Sequence, residues 1–486
     1  MGTANTTKRR GPVRSRAQRQ PAQSEIEQTS ANERATRGKG TRSEVPRSSH
    51  AAWEPPSNRA SPVDLLERQA KSRIPELVPI RHGRMLISPF SYYRGAALPM
   101  TSDLATTPNS GLRAQICGDA HLCNFGVFGS PERHLFFDVN DFDETAPGPW
   151  EWDVKRLAVR LGVAGRDNGF PKQARKNIVR RAVRSYRETM REFAQMSVLE
   201  VWYAHLDMDE LLPRFHSRLD RTQTPAVWKA IAKARAHDSE QAFTKLAEVV
   251  DGECRILHQP PLITPIEELG EAVDAEAVLE AMEAFLRSYR DTLRPDRRRL
   301  LKQYRLVHVA RKVVGVGSVG TQAWILLLLD DQDVPLFLQM KEADTSVIEE
   351  FTSRSEFSHC GHRVVVGQRL MQAASDIFLG WERSGWLGDE REYYIRQLRD
   401  WKGSADIEGM TTAGMELWGR MCGWTLARAH ARSGDRAAIA AYLGKSDVFD
   451  RAIGKFSVAY ADQNERDYEA FKEAVASGRL AAETDA

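Results

Sequence analysis

Between residues 306 and 343 the order of apolar and polar positions describes three strands in succession. Positions 307–314 make the first, a glycine-rich stretch at 315–320 turns the chain, and 323–329 is an unbroken apolar run. An Asp-rich turn at 330–333 leads into a third strand at 336–340. Elsewhere the dominant spacing is three-to-four, which predicts helices at 63–74, 153–164, 172–203, 225–250 and 275–293. The prolines at 260–265 interrupt that helical block. Turn and strand signals fill 81–149. A helix is expected at 364–374, short strands near 378–381 and 393–398, and helices again at 415–430 and from 445 onward. A helical block beside a small antiparallel sheet is an α+β arrangement. The chain divides into a segment 1–60, a helical lobe 61–305, a sheet lobe 306–404 and closing helices 405–486 that complete the helical lobe.

Charge changes the picture mainly at the start of the chain. Residues 1–60 hold twelve Lys or Arg against five Glu, and little apolar periodicity. Such a segment buries too little surface to offset its chain entropy, so it is expected to be a disordered basic tail. Its removal is then expected to leave the melting temperature unchanged. The rest of the chain carries a net charge of about −4, which argues against nucleic acid as a partner of the folded body and leaves only the tail for that role. The longest aliphatic run is too short to cross a bilayer, and the first residues lack the apolar core of a signal peptide. Five cysteines in 486 residues suggest no disulfide framework. These features describe a cytoplasmic protein with no membrane span.

Two constellations carry chemistry. The first is ICGDAHLCNF at 116–125, followed by LFFDVNDFDE at 135–144 and GPWEWDVKRLA at 148–158. Phosphoryl transfer needs a carboxylate facing the attacking hydroxyl and oxygen ligands for magnesium. Asp119 with Asn124 five residues on can supply the base and one ligand. Asp141 or Asp138, at the end of a strand hairpin, can supply the other, and sequence does not separate them. The second constellation is Gly315, Gly317, Ser318 and Gly320 in a G-x-G-x-x-G turn between strands, with Lys341 at the end of the third strand. In a dinucleotide fold this motif opens a helix; strand–glycines–strand is instead how kinases cover ATP phosphates, with a lysine on the third strand. Glu349, Glu350 and Glu356 are candidate partners for Lys341. Arg94 suits a phosphate and equally a structural place. His121 and His430 read as hydrogen-bonded structural residues.

GD-x-H-x-x-N, the Asp-rich strand end and the later GP…D resemble the catalytic region of aminoglycoside phosphotransferases and choline kinases. That resemblance implies Asp119 as base, Asn124 and Asp141 or Asp138 on Mg²⁺, and Asp153 bracing the loop; Cys117 stands where those enzymes usually have His. The strings SPFSYYRG, GDAHLCNFG, NDFDE, GVGSVGT, KEA and RQLRDWKGS are similar to the bacterial family called domain of unknown function 2252. The catalytic loop precedes the glycine turn by about 190 residues, the reverse of kinase order, and LARAH at 426–430 resembles the helix that precedes the catalytic loop in the phosphotransferases. A circularly permuted, two-lobed protein-kinase-like fold reconciles these facts. The function expected is ATP- and Mg²⁺-dependent transfer of phosphate to a hydroxyl or amine of a small molecule. Two alternatives keep the nucleotide: adenylylation of a protein acceptor, and a non-catalytic nucleotide-binding scaffold.

Overall fold

Helices and strands segregate because their apolar patterns differ. The computed structural model describes residues 29–211, 232, 234–236, 239–269, 275–385, 389–398 and 401–484. The first helices are α1 (Ala31–Glu44), α2 (Pro62–Ala70), α3 (Val78–Leu86), α4 (Pro89–Gly95) and α5 (Ala97–Leu104). Two antiparallel pairs follow, β1 (Arg113–Ile116) with β4 (Ala146–Pro149), and β2 (Phe125–Gly129) with β3 (Leu135–Val139). Helices α6 (Trp150–Asp167), α7 (Lys172–Phe193) and α8 (Val198–Tyr203) come next.

Helix α7 buries Ile178, Val179, Ala182, Val183, Tyr186, Met190 and Phe193 at three-to-four spacing, a single apolar stripe. It packs on α13 (Thr412–Ser433) so closely that a β-carbon on Gly423 would fall 2.3 Å from the Ala182 carbonyl oxygen. Trp150, at the start of α6, stacks on Tyr186 with centroids 5.4 Å apart. Helices α14 (Arg436–Leu443) and α15 (Val448–Ala476) finish this lobe.

The other lobe is built on a six-stranded antiparallel sheet. Its strands are β7 (Ile263–Pro265), β8 (Arg305–Lys312), β9 (Ala323–Leu329), β10 (Pro335–Glu342), β11 (Gly380–Ser384) and β12 (Arg391–Gln397), in spatial order β11-β12-β10-β9-β8-β7. Every residue of β9 is buried because both sheet faces are covered. Trp324, Leu326 and Leu328 meet Val278, Met282 and Phe285 of helix α10 (Ala275–Asp291). On the opposite face Ile325, Leu327 and Leu329 meet Ala242 and Leu246 of α9 (Ser239–Leu246) and Ile256 of β6 (Glu253–Ile256), which pairs with β5 (Ala247–Val250). Helix α11 (Pro295–Leu301) leads into β8. Helix α12 (Cys360–Met371) lies between β10 and β11 in sequence. This is the α+β arrangement expected, and among the described residues no helix is long and apolar enough to cross a membrane.

Three expectations need correction. Residues 78–104 are helical, not strand and turn: their prolines sit in first turns (Pro89 and Pro79), where a missing N–H costs little. The predicted helix 172–203 is two helices, and 247–250 is a strand; the rest of the predicted helix 225–250 falls mainly outside the described residues. The third concerns the basic tail. Residues 1–28 lie outside the described residues, but α1 is a helix with a capping box at Ser30 and Glu33, docked on α14. Arg37 pairs with Asp435 at 2.7 Å, and Arg42 and Arg47 donate to the last carbonyls of α14, from Ala441, Tyr442 and Leu443. Those cations meet the negative end of that helix.

Arg59 closes the segment. Its guanidinium donates to Asp103 at 2.8 and 2.7 Å and to Asp467 at 2.8 and 2.6 Å, with all three side chains largely buried. Removing one partner of a buried pair strands the other charges, so Arg59→Ala should cost about 3 kcal/mol of unfolding free energy. Urea denaturation checks this; a loss under about 0.5 kcal/mol, the size seen for surface substitutions, would contradict it.

Candidate functional site

Gly118 and Asp153 fix the geometry of the 117–124 loop. Gly118 has φ +77°, and a β-carbon there would lie 2.4 Å from the Glu144 carbonyl oxygen, so no other residue fits. Asp153, in the first turn of α6, accepts from the Cys117 N–H at 2.9 Å and the Gly118 N–H at 3.0 Å. His430 holds the same carboxylate from α13, with Nε2 3.2 Å from Oδ2, and Tyr186 lies 2.9 Å from His430 Nδ1. Asp153 thus braces the loop, and the pattern GPWEWD puts it there by starting a helix at Trp150.

On this loop Asp119 and Asn124 lock each other. Asn124 Nδ2 donates to the Asp119 carbonyl at 2.7 Å, which leaves Oδ1 as its remaining acceptor. Arg156 lies one turn beyond Asp153 on α6 and holds Asp119 Oδ1 at 2.5 Å. Burial pushes the Asp119 carboxyl above its ordinary range, opposed by that guanidinium. His121 Nε2 is 3.8 Å from Asp119 Oδ2. Burial, aided by Arg160, Arg94 and Arg156, lowers the His121 pKa well below the usual value, so the ring is neutral near pH 7.

Lys341 arrives from β10. Its side chain is 3% exposed, with Nζ 2.5 Å from Asp143 Oδ2 and 4.0 Å from Asp141 Oδ2. Ser318 of the glycine turn donates to the same Asp143 oxygen at 3.1 Å, and Tyr394 of β12 donates to the other at 2.6 Å. Burial would raise the Asp143 carboxyl, but Lys341 and the Tyr394 hydroxyl outweigh it and hold it below the ordinary carboxylate range. Burial likewise disfavours the lysine ammonium, and the Asp141 and Asp143 carboxylates more than offset it.

The partner of Lys341 is therefore Asp143, not one of the glutamates expected. Glu349 pairs with Arg363 at 3.3 Å, Glu350 pairs with Arg68 at 2.7 Å, and Glu356 is exposed. Asp138 also takes another part. It is 1% exposed, its oxygens bind Arg428 of α13 at 2.6 Å, and they accept from the N–H groups of Val139 and Ala373. A carboxylate spent in this way has no lone pair directed at a ligand, which leaves Asp141 as the candidate of the two.

A cleft of about 540 Å³ is lined by Asp119, Asn124, Asp141 and Asp143 from one lobe and by Gly315, Gly317 and Ser318 from the other. Gly320 stands behind it, with φ +91°, its carbonyl accepting from the Ile74 N–H at 2.7 Å. Gly315 adopts φ +68° and its carbonyl accepts from Arg84 at 2.7 Å. Sequence reasoning missed Asp143, Tyr394 and Arg156; only Arg156 left a readable signal, a basic residue one helical turn after Asp153. Among the described residues no three His, Cys, Asp or Glu side chains form a metal cage by themselves. A hard cation here would rest on Asp141, the Asn124 amide oxygen and oxygens of a ligand, the sparse protein ligation usual for Mg²⁺.

Fold and cleft define an α+β protein in which an acidic loop faces a glycine turn and a buried lysine. Residues 73–474 match the family described as "Uncharacterized protein conserved in bacteria (DUF2252)", and the chain belongs to that family. No curated protein and no solved structure matches it.

Glu144, also on the cleft, accepts from the Val347 N–H at 2.8 Å, and burial pushes its pKa up to about 7, against the pull of that N–H and of Arg363. A raised carboxyl pKa means that the folded state prefers the protonated form. Its stability contribution is full below the ordinary value of about 4.5 and is lost as pH rises through about 7. Glu144→Gln keeps an acceptor for Val347 and cannot ionise. Without divalent ions, the variant should match the wild type at pH 4 and exceed it by about 3 kcal/mol at pH 8. A gap independent of pH in paired denaturation curves would contradict the burial argument.

Proposed function

We propose that the cleft binds ATP with Mg²⁺ and transfers the terminal phosphoryl group to a hydroxyl or amine of a small molecule. The observation that carries this reading is the meeting of Lys341, Ser318 and Asp143 at hydrogen-bond distance, the lysine and the aspartate being 198 positions apart in the chain. Chain proximity does not force that meeting. A site that positions phosphates between a lysine, a glycine turn and magnesium carboxylates requires it.

Each side chain has a part in such a transfer. Arg156 anchors Asp119 Oδ1, so Oδ2 is the oxygen left to accept the proton of the attacking hydroxyl. The raised Asp119 pKa suits a group that must take a proton and give it up. Backbone N–H groups of Gly315, Gly317 and Ser318 have no bulky side chain between them and phosphate oxygens. Lys341 supplies a fixed positive charge on the same side. Mg²⁺ held by Asn124 Oδ1 and Asp141 would neutralise charge developing on the phosphates.

The topology supports the permuted kinase-like reading. The glycine turn joins β8 to β9, Lys341 lies on the next strand, and helix α12 follows before the sheet resumes, the order of parts in which kinases grip ATP. Helix α13 ends against the strand that opens the catalytic loop. Ser433 Oγ accepts from the Gln115 N–H at 3.2 Å, and a β-carbon on Gly434 would lie 2.9 Å from that of Ala114. A chain running directly from α13 into β1 would need only a short link, and moving the termini in that way would give the inverted motif order.

Calorimetry with ATP and Mg²⁺, together with assays using α- and γ-labelled ATP, tests the reading. Label should pass to acceptor from the γ position only; transfer from α would replace phosphorylation by adenylylation. Asp119→Asn should lose transfer yet keep nucleotide affinity within about tenfold, or ~1.4 kcal/mol. Asp141→Asn should weaken the Mg²⁺-dependent part of binding. Full turnover by Asp119→Asn, or no nucleotide binding at millimolar concentration, would overturn the assignment.

A further inference from the structure

Helices α2 to α4 bring arginines to the cleft that phosphate transfer from ATP does not account for. Arg73, Arg81 and Arg94 all line it, beside Gly95 and Asp119. None of the three has a carboxylate within ion-pair distance among the described residues. Arg73 donates to the Val319 carbonyl, and Arg81 donates through Nη2 to Gln69 Oε1 and the Gly95 carbonyl, each at 2.8 Å. Arg81 is 0% exposed, and its Nε and Nη1 have no partner; the Nε atoms of Arg73 and Arg94 are buried and unpartnered as well.

An enclosed guanidinium without a counter-charge is costly, on the order of several kcal/mol. Burial pushes the Arg81 pKa well down, and the Arg73 charge pushes it in the same direction. Other arginines nearby divide: Arg68, Arg156 and Arg363 are matched, to Glu350, Asp119 and Glu349, while Arg160 behind the loop donates to the Phe90 carbonyl and Arg354 at the rim has no ion pair among the described residues. Arg73, Arg81 and Arg94 line the cleft together, and of the three Arg73 also feels the carboxylates of Glu144, Asp344, Glu342 and Asp143 at a distance. Arg94 acts electrostatically on His121, the neighbour of the candidate base, so its charge falls on the acceptor side, while its backbone carbonyl abuts Gly317 of the glycine turn.

We propose that Arg73, Arg81 and Arg94 form an anion subsite for a phosphate group carried by the acceptor, so that the substrate is a phosphorylated small molecule and not a cationic one. The proposal rests on the nucleotide reading for which end of the cleft receives the acceptor. Three guanidinium groups match the charge and the several oxygens of a phosphate, and a fork-shaped donor holds such a group in fixed orientation. A polyamine or quaternary ammonium would meet three like charges here, which disfavours it strongly.

Inorganic phosphate is the probe, titrated calorimetrically into the full chain alone and again with saturating Mg²⁺ and a non-hydrolysable ATP analogue. The wild type should bind phosphate in both conditions. Arg94→Gln should weaken phosphate binding by about tenfold or more while nucleotide affinity changes by less than about threefold. Arg81→Met should do the same, and Arg94→Gln decides the matter if that buried variant does not fold. Phosphate displaced by the nucleotide analogue would assign the arginines to ATP and overturn the proposal, as would unchanged phosphate binding by a folded Arg94→Gln protein. If phosphate binds and depends on Arg94 while no nucleotide binds, the subsite stands and the kinase reading fails.

Discussion

Lys341 sits in the third strand of a sheet whose both faces are covered, where an unpaired ammonium would cost several kcal/mol. Its tolerance there depends on Asp143 at 2.5 Å and Asp141 at 4.0 Å, both from the other lobe. The pair therefore does two things at once. It ties the sheet to the helical lobe, and it sets the spacing between the glycine turn and the acidic loop. Ser318 and Tyr394 converge on the same carboxylate, so turn, third strand and β12 are all referenced to Asp143.

The aspartates of this region differ in function because their partners differ. Asp153 spends its oxygens on two backbone N–H groups and His430 and shapes the loop. Asp138 spends its oxygens on Arg428 and two more N–H groups and joins α13 to the hairpin. Asp143 is committed to Lys341. Asp119 keeps one oxygen clear of Arg156, and Asp141 accepts from the Asp143 N–H at 3.2 Å through only one of its oxygens. Of these aspartates, the two with an oxygen to spare, Asp119 and Asp141, both line the cleft, as does Asn124.

How much of this was legible depended on whether the signal was local. The strand at 323–329 was read to the residue, because a continuous apolar run between turn signals admits few other structures. The grouping of Asp119, Asn124 and Asp141 was legible too, since a short spacing picked them out and all three line one cleft. The lysine's partner was not, because the candidates Glu349, Glu350 and Glu356 follow Lys341 within 15 residues while the true partner lies 198 residues earlier. The tail misled for the same reason. Residues 31–60 have no apolar stripe, and their order comes from arginines meeting Asp435, Asp103, Asp467 and the end of α14, about 400 residues away in three of those four cases. Helices at 78–104 were hidden by prolines and glycines that read as turns but occupy first turns and close contacts, as where a β-carbon on Gly95 would fall 2.4 Å from the Met85 sulfur.

Every part of this reading requires that the glycine turn, Lys341 and the acidic loop form one nucleotide site. A crystal structure of the full chain with Mg²⁺ and a non-hydrolysable ATP analogue addresses that requirement directly. The triphosphate should lie between Gly315–Ser318 and Lys341, with a metal ion on Asp141 and the Asn124 side-chain oxygen and the γ-phosphate facing Asp119. A nucleotide bound outside this cleft, or a cleft left empty at millimolar analogue with the Lys341–Asp143 pair unchanged, would contradict it.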